Sequence, residues 1–355
     1  MRRFLRAAGS WTVGILCFAL VCLAVGRFFP QEVNGISLKF RRFAPRKDNF
    51  DTLFVGSSRI YHGVDPVTFD RTMREHGHAT HSFNFAMDGL NTAEGFGLVR
   101  HVLGLHPRKL KTIFFEAQAT IAAGTPTDAG AVKVRDVYWR DWPSVVDGTR
   151  IFAQGLAWPR GVLPGAPFSV QRWQDLGPTF LATARLWFRN FTHVGSGMDI
   201  LHGAIAHLPP REKLPKPQTD RLPPDWDGYF AMARPMEGKT LETYRKAMAN
   251  LQRRAAPHEP DPLMRSELAR FVREMAAKNI KVVFVEPPSL MAARGSAVHV
   301  PSRVPLFAYT DVLRYPEFYT EEDRLDTEHL NGRGAEIFSR TLAKDYSASL
   351  AGAAR

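Results

Sequence analysis

Cysteine is nearly missing from these 355 residues: Cys17 and Cys22 are the only two. Both lie in one apolar run, so the rest of the chain carries no thiol, and no disulfide or cysteine-held metal can be built there. A thiol-free domain folds in an oxidising compartment without mispairing, and it suits a reducing one equally. Twelve histidines are present but none in His-x-x-x-His spacing, which argues against a metal site. A glycine-rich phosphate loop, a dinucleotide fingerprint and an internal repeat are all missing, so no cofactor is expected. Acidic residues are also in deficit, 35 against 47 lysines and arginines, for a net charge of +12. The first 30 residues hold four arginines and no acid, which leaves +8 on residues 31–355. Such a surface attracts anionic polymers or phospholipid headgroups; nucleic acid is disfavoured because no zinc finger, basic-region helix or RNA-binding signature accompanies the charge.

The uncharged run itself, residues 7–26 between Arg6 and Arg27, is 20 residues long. At about 1.5 Å per residue that crosses a hydrocarbon core of about 30 Å. Ala24 and Gly26 would also suit a signal-peptide cleavage rule, but the run outlasts a typical signal core and is expected to be an anchor. Arg2, Arg3 and Arg6 favour a cytoplasmic N-terminus, against Arg27, Lys39, Arg41 and Arg42 on the far side. The usual layout for a short tail ahead of a long domain is a single pass through the inner (cytoplasmic) membrane with the domain in the periplasm. Residues 1–30 are thus read as anchor, 31–50 as a basic juxtamembrane linker and 51–355 as the folded domain.

That domain opens with strand-like TLFVG from Thr52, followed by a helix signalled by Asp65 as N-cap and Pro66 in the first turn. The rhythm repeats: SFNFAM (82–87), a turn through Asp88 and Gly89, and a helix from about residue 92 with Asn91 and Glu94 as a capping box. TIFFEA (112–117) is a third strand. KVVFVE (281–286) is a later one, preceded by a helix that starts at Asp261-Pro262 and that Asn279 can close; a last helix runs from about Ala335. Alternating strands and helices of this length predict an α/β fold with a parallel sheet covered on both faces. Between about 120 and 260 the rhythm breaks. Six of the seven tryptophans fall there, with a proline-rich stretch from Leu208 to Asp225, and the segment reads as an inserted, mostly helical lobe.

Two motifs carry chemistry. Ser58, in FVGSSR, stands at the carboxyl end of the first strand, where open α/β sheets place their ligands. Asp326 and His329, in DTEHLNGRG just before the last helix, lie on one loop. A serine hydroxyl needs an imidazole to take its proton, and the imidazole needs a carboxylate to set its tautomer and stabilise its cation. His62, four residues after Ser58, would have to fold back over its own turn to act as base, and is read as a pocket-wall residue.

Together these motifs resemble the SGNH, or GDSL-like, hydrolase superfamily, with Gly56-Ser57-Ser58 in place of Gly-Asp-Ser and Asp326-x-x-His329 near the C-terminus. The resemblance implies a three-layer, flavodoxin-like sheet, Ser58 as nucleophile, and an oxyanion hole formed by the N–H groups of Ser58 and Gly89 plus an asparagine side chain after the third strand. The third block departs from the family: FFEAQAT stands there, leaving Gln118 or Asn91 as the alternative amide donors and placing Glu116 where a carboxylate would oppose an oxyanion. Within the superfamily the chain is similar to membrane-anchored envelope proteins of teichoic acid D-alanylation and alginate O-acetylation. That implies O-acyl, in particular acetyl, transfer to an exported or cell-envelope polysaccharide, with a membrane acyl-donor protein as partner. An esterase acting on carbohydrate or lipid, and a non-catalytic scaffold of a polysaccharide export complex, are the alternatives.

Overall fold

Short apolar runs become the strands β1 (Thr52–Val55), β2 (Ser82–Asn84), β3 (Thr112–Glu116), β4 (Lys281–Glu286) and β5 (Leu306–Ala308) of one parallel sheet. The computed structural model describes residues 2–28, 34–118, 138, 141–157, 176–192, 222–223, 225–233, 236–251, 262–290 and 300–353. The strand order is β2-β1-β3-β4-β5, the flavodoxin-like doubly wound order, which puts the carboxyl ends of β1 and β3 side by side at the switch point. β5 was not anticipated from sequence. With only three residues, none of them fully buried, it lacks the apolar run that marks the other strands.

Helices cover both faces. Successive side chains of a strand point to opposite faces, and neighbouring phenylalanines show it. Phe114 packs with Phe54, with Phe69 of α4 (Pro66–Glu75) and with Tyr346 of the C-terminal helix α10 (Gly332–Ala353). Phe115 meets Phe96 of α5 (Thr92–Gly104) and Phe271 of α9 (Pro262–Ala276) on the other side. Each such ring, fully withdrawn from water, contributes roughly 1.5–3 kcal/mol of hydrophobic stabilisation. Asp65 and Asn91 cap α4 and α5 through their side chains, Asn91 in a full capping box with Glu94. Asn279 takes a left-handed conformation (φ 57°) three residues beyond α9, a role asparagine fills at low steric cost.

The chain divides into two compact units: residues 1–37 with 123–221, and residues 38–122 with 222–355. The second holds the sheet. In the first, α1 (Arg2–Phe28) associates with α7 (Leu176–Thr192), which pairs with α6 (Trp142–Ala157). Of the expected anchor, residues 2–28 form one helix. Among the described residues, however, no helix is long and apolar enough to cross a membrane.

Two expected boundaries move. Residues 38–50 are no linker: Lys39, Phe43 and Phe50 are buried, and Phe40, Phe43 and Phe50 pack against Phe83 and Phe85 beside edge strand β2. The density of basic residues hid an amphipathic helix, α2 (Asn34–Phe43). The described residues of 222–251, expected in the inserted lobe, belong with the sheet. Asp227 C=O accepts the Asn84 N–H, shielding the open edge of β2, and Tyr244 of α8 (Gly238–Ala249) is buried in the core with its hydroxyl on Tyr319 C=O.

Candidate active site

Backbone geometry sets the nucleophile turn. β1 ends at Val55, and Ser57 caps the short helix α3 (Ser58–Tyr61), its Oγ accepting from Arg59 N–H. Ser58 therefore stands at the switch point. The loop after β2 is stitched to this turn: Phe54 C=O accepts from Phe85 N–H, and Gly56 C=O accepts from Met87 N–H at 2.9 Å. Those bonds bring the Asp88-Gly89 turn to the nucleophile's side of the sheet. Gly89 takes φ 62°, a left-handed value that costs any side chain with a Cβ about 1–2 kcal/mol.

From the other end of the sequence, the loop 324–330 is closed on itself by an Arg324–Leu330 bridge and by Leu325 N–H on His329 C=O. Leu290 N–H on Thr327 C=O fastens it to the segment after β4. Within it, His329 Nδ1 lies 2.9 and 3.0 Å from the two oxygens of Asp326, and Nε2 lies 2.7 Å from Ser58 Oγ. A carboxylate facing Nδ1 places the proton there, so Nε2 presents its lone pair to the Ser58 hydroxyl, as a general base must. Asp326 Oδ1 also accepts the backbone N–H groups of Glu328 (2.7 Å) and His329 (2.8 Å). Burial favours the neutral acid, but the His329 hydrogen bond, the Glu328 N–H and the nearby imidazole outweigh it, and the carboxyl is lowered to about 2. The three residues singled out from sequence thus meet in one hydrogen-bonded chain.

Glu116 does not stand open against an oxyanion. Its carboxylate is fully buried and accepts from Ser57 N–H, from Ser57 Oγ at 3.0 Å, and from Arg59 Nε and Nη2 at 2.9 and 2.6 Å. The ion pair neutralises it, and its bonds hold the backbone just ahead of Ser58. Gly56 is required for this: a Cβ there would sit 2.5 Å from Glu116 Oε2 and 2.7 Å from Ile60 Cγ1. Arg59 reaches Glu328 at 3.8 Å, and Glu328 accepts from Ser289 Oγ, so the nucleophile turn and the histidine loop share one polar network.

Of the two amide alternatives, Gln118 is engaged in positioning. Its oxygen accepts from Thr92 N–H and Oγ, and its nitrogen donates to Leu90 C=O, bracing the Gly89 loop against the start of α5. Asn91 spends its oxygen on Glu94 N–H. Its NH2 group has no acceptor among the described residues. His62 is buried, its ring 6.3 Å from that of His329, with Nδ1 on Phe230 C=O and Nε2 3.1 Å from Asp88.

Lys39 was missed. Wholly buried, it donates to Asn84 C=O (2.8 Å) and Ala86 C=O (2.5 Å) and lies 3.8 Å over the Tyr61 ring. Burial drives its pKa well below that of an ordinary lysine, with Asp88 and Asp227 opposing the shift. Asn84 completes the brace, donating to Ile60 and Val64 C=O and accepting from Ala86 N–H. A cleft of about 250 Å³ lined by Lys239, Thr240, Thr243, Asp326 and Thr327 adjoins the relay carboxylate. No protein-family model matches the sequence, and a search of curated proteins finds no match.

Proposed function

We propose that the protein is a membrane-anchored serine acyl-ester enzyme of the SGNH type, acting outside the cytoplasm. The observation that carries this reading is the unbroken contact chain from Asp326 through His329 to Ser58 Oγ, at 2.9 and 2.7 Å. Ser58 Oγ attacks an acyl carbonyl while His329 Nε2 takes its proton. The oxyanion is held by the N–H groups of Ser58 and Gly89, each worth about 3 kcal/mol at the developing charge. Collapse expels the donor's oxygen, to which His329 returns the proton, and leaves an acyl ester on Ser58. An incoming hydroxyl then gives its proton to His329 and takes the acyl group, and His329 passes that proton to the departing Ser58 Oγ. Asp326 remains ionised throughout and stabilises the imidazolium.

The acceptor we favour is a sugar hydroxyl of an exported or cell-envelope polysaccharide, with a membrane protein as acyl donor. The uncharged run of residues 7–26 and the motif resemblance support that choice. A water acceptor would make the same site an esterase. Fluorophosphonate labelling of the full chain tests the chemistry: an adduct is expected with the parent and with Ser57→Ala, and none with Ser58→Ala. An adduct that survives in Ser58→Ala defeats the assignment. Acetyl transfer to an oligosaccharide should exceed hydrolysis, and hydrolysis alone would remove the transferase reading.

A further inference from the structure

Exposed apolar side chains are distributed very unevenly. Of the fifteen large hydrophobic residues exposed in the described chain, thirteen lie in the helical unit of residues 1–37 and 123–221; only Val67 and Leu313 lie in the sheet-bearing unit. Part of this surface is α1, where Trp11 is 75% and Leu20 65% exposed. The rest lies on α6 and α7. These two helices bury Val145, Ile151, Thr183 and Leu186, with Trp142 and Trp187 in edge contact at 5.1 Å, while Val146, Phe180, Leu181 and Phe191 on their other faces are exposed. On α7, Phe180, Leu181, Phe188 and Phe191 fall within roughly 100° of arc at 3.6 residues per turn, about opposite the buried Leu186. Phe188 within it stacks with Phe18 of α1 at 6.3 Å, so the apolar surface runs on from one helix to the next.

Charge indicates what covers this face. The only charged residues of α6, Asp147 and Arg150, pair with each other at 3.3 Å. Those of α7 are Arg185 and Arg189, with no acid. Over the whole unit 16 basic residues stand against nine acidic ones, a net +7 of the chain's +12. An apolar stripe flanked by arginine on a cationic unit is complementary to an anionic lipid surface, where alkyl and aromatic groups enter the acyl boundary and guanidinium groups stay at the phosphates. Length excludes a crossing: helices of 16 and 17 residues reach about 24–26 Å at 1.5 Å per residue, short of a hydrocarbon core of about 30 Å.

We propose that α6 and α7 lie in the plane of an anionic bilayer's interface beside α1, giving the inserted lobe the role of a membrane-seated platform. This rests on the membrane location proposed above and not on the catalytic assignment. The test uses the full chain with both cysteines changed to serine and single cysteines introduced by Val146→Cys, Leu181→Cys, Ile15→Cys and Leu313→Cys. Each is labelled with a fluorophore and incorporated into vesicles of phosphatidylcholine and phosphatidylglycerol at about three to one. Nitroxides on the lipid acyl chains are expected to quench the labels at 146, 181 and 15 at least about threefold more than the label at 313, with iodide showing the reverse order. Quenching at 15 but not at 146 and 181 would leave the anchor standing and overturn the platform. Labels at 146 and 181 protected from iodide yet unquenched by lipid would also overturn it, because a protein partner or second copy would then cover the face. No lipid quenching at any position would remove the membrane location itself.

Discussion

Glu116→Gln tests whether the buried carboxylate behind the nucleophile is structural support or a residue of no consequence. The substitution keeps shape but not donor–acceptor balance. With the amide oxygen placed at Oε1, where Ser57 Oγ and Arg59 converge, the amide NH2 faces Ser57 N–H, a donor against a donor. A buried donor left unsatisfied costs about 1–3 kcal/mol, and replacing a charge-assisted pair with Arg59 by a neutral one removes about 1 kcal/mol more. The sum is about 3 kcal/mol. For a unit of roughly 200 residues, at 2–4 °C per kcal/mol, the melting temperature should fall by about 6–12 °C. Ser57→Ala, which loses the hydroxyl's contact with Glu116 at 3.0 Å and its cap on Arg59 N–H, should cost about 1–2 kcal/mol and a smaller shift. Calorimetry of the full chain measures both. The fluorophosphonate labelling rate of Glu116→Gln should also drop about a hundredfold, because a displacement of about 1 Å at a reacting group is worth that much. A melting temperature within about 2 °C of the parent, or no greater loss than Ser57→Ala, would refute the reasoning.

Three further outcomes are expected. Asp326→Asn should lower ester turnover about 10⁴-fold at neutral pH, since the amide no longer holds the Nδ1–H tautomer; a loss under tenfold would contradict the relay. In stability the depressed Asp326 pKa works in one direction: the ionised carboxylate stabilises the fold above about pH 4, and that contribution is lost as pH falls through about 2. It amounts to about 1 kcal/mol after solvent screening of a side chain about one-third exposed, so parent and Asp326→Asn should converge in urea midpoints measured between pH 4 and 2. Lys39→Met should leave the sheet intact but slow labelling of Ser58 at least several-fold, because the donor that fixes Asn84 and Ala86 C=O, and through them the Gly89 loop, is removed. Gly56→Ala should destabilise by about 1–3 kcal/mol, its Cβ meeting Glu116 and Ile60; unchanged thermal unfolding would be inconsistent with the close packing there.

The sequence alone was enough to determine the features written in short stretches of chain. β1, β3 and β4 are continuous runs of β-branched and aromatic residues, as strands buried on both faces must be, and Asp65 and Asn91 start their helices through side chains that reach only two or three residues ahead. Ser58 at a strand end, and Asp326 with His329 three residues apart, could be selected for the same reason. What only the tertiary structure decided is how distant groups offset one another's cost. Arg59 and Glu116 stand 57 positions apart, and Lys39 reaches Asn84 C=O across 45; nothing local pairs either cation with its acceptor until the fold buries them together. The same limit applies to residues 38–50 and 222–251, whose basic and proline-rich composition suggests linker and lobe. Desolvation in the assembled fold, beside the open edge of β2 for residues 38–50 and Asp227 and against Tyr319 for Tyr244, draws them into the α/β unit.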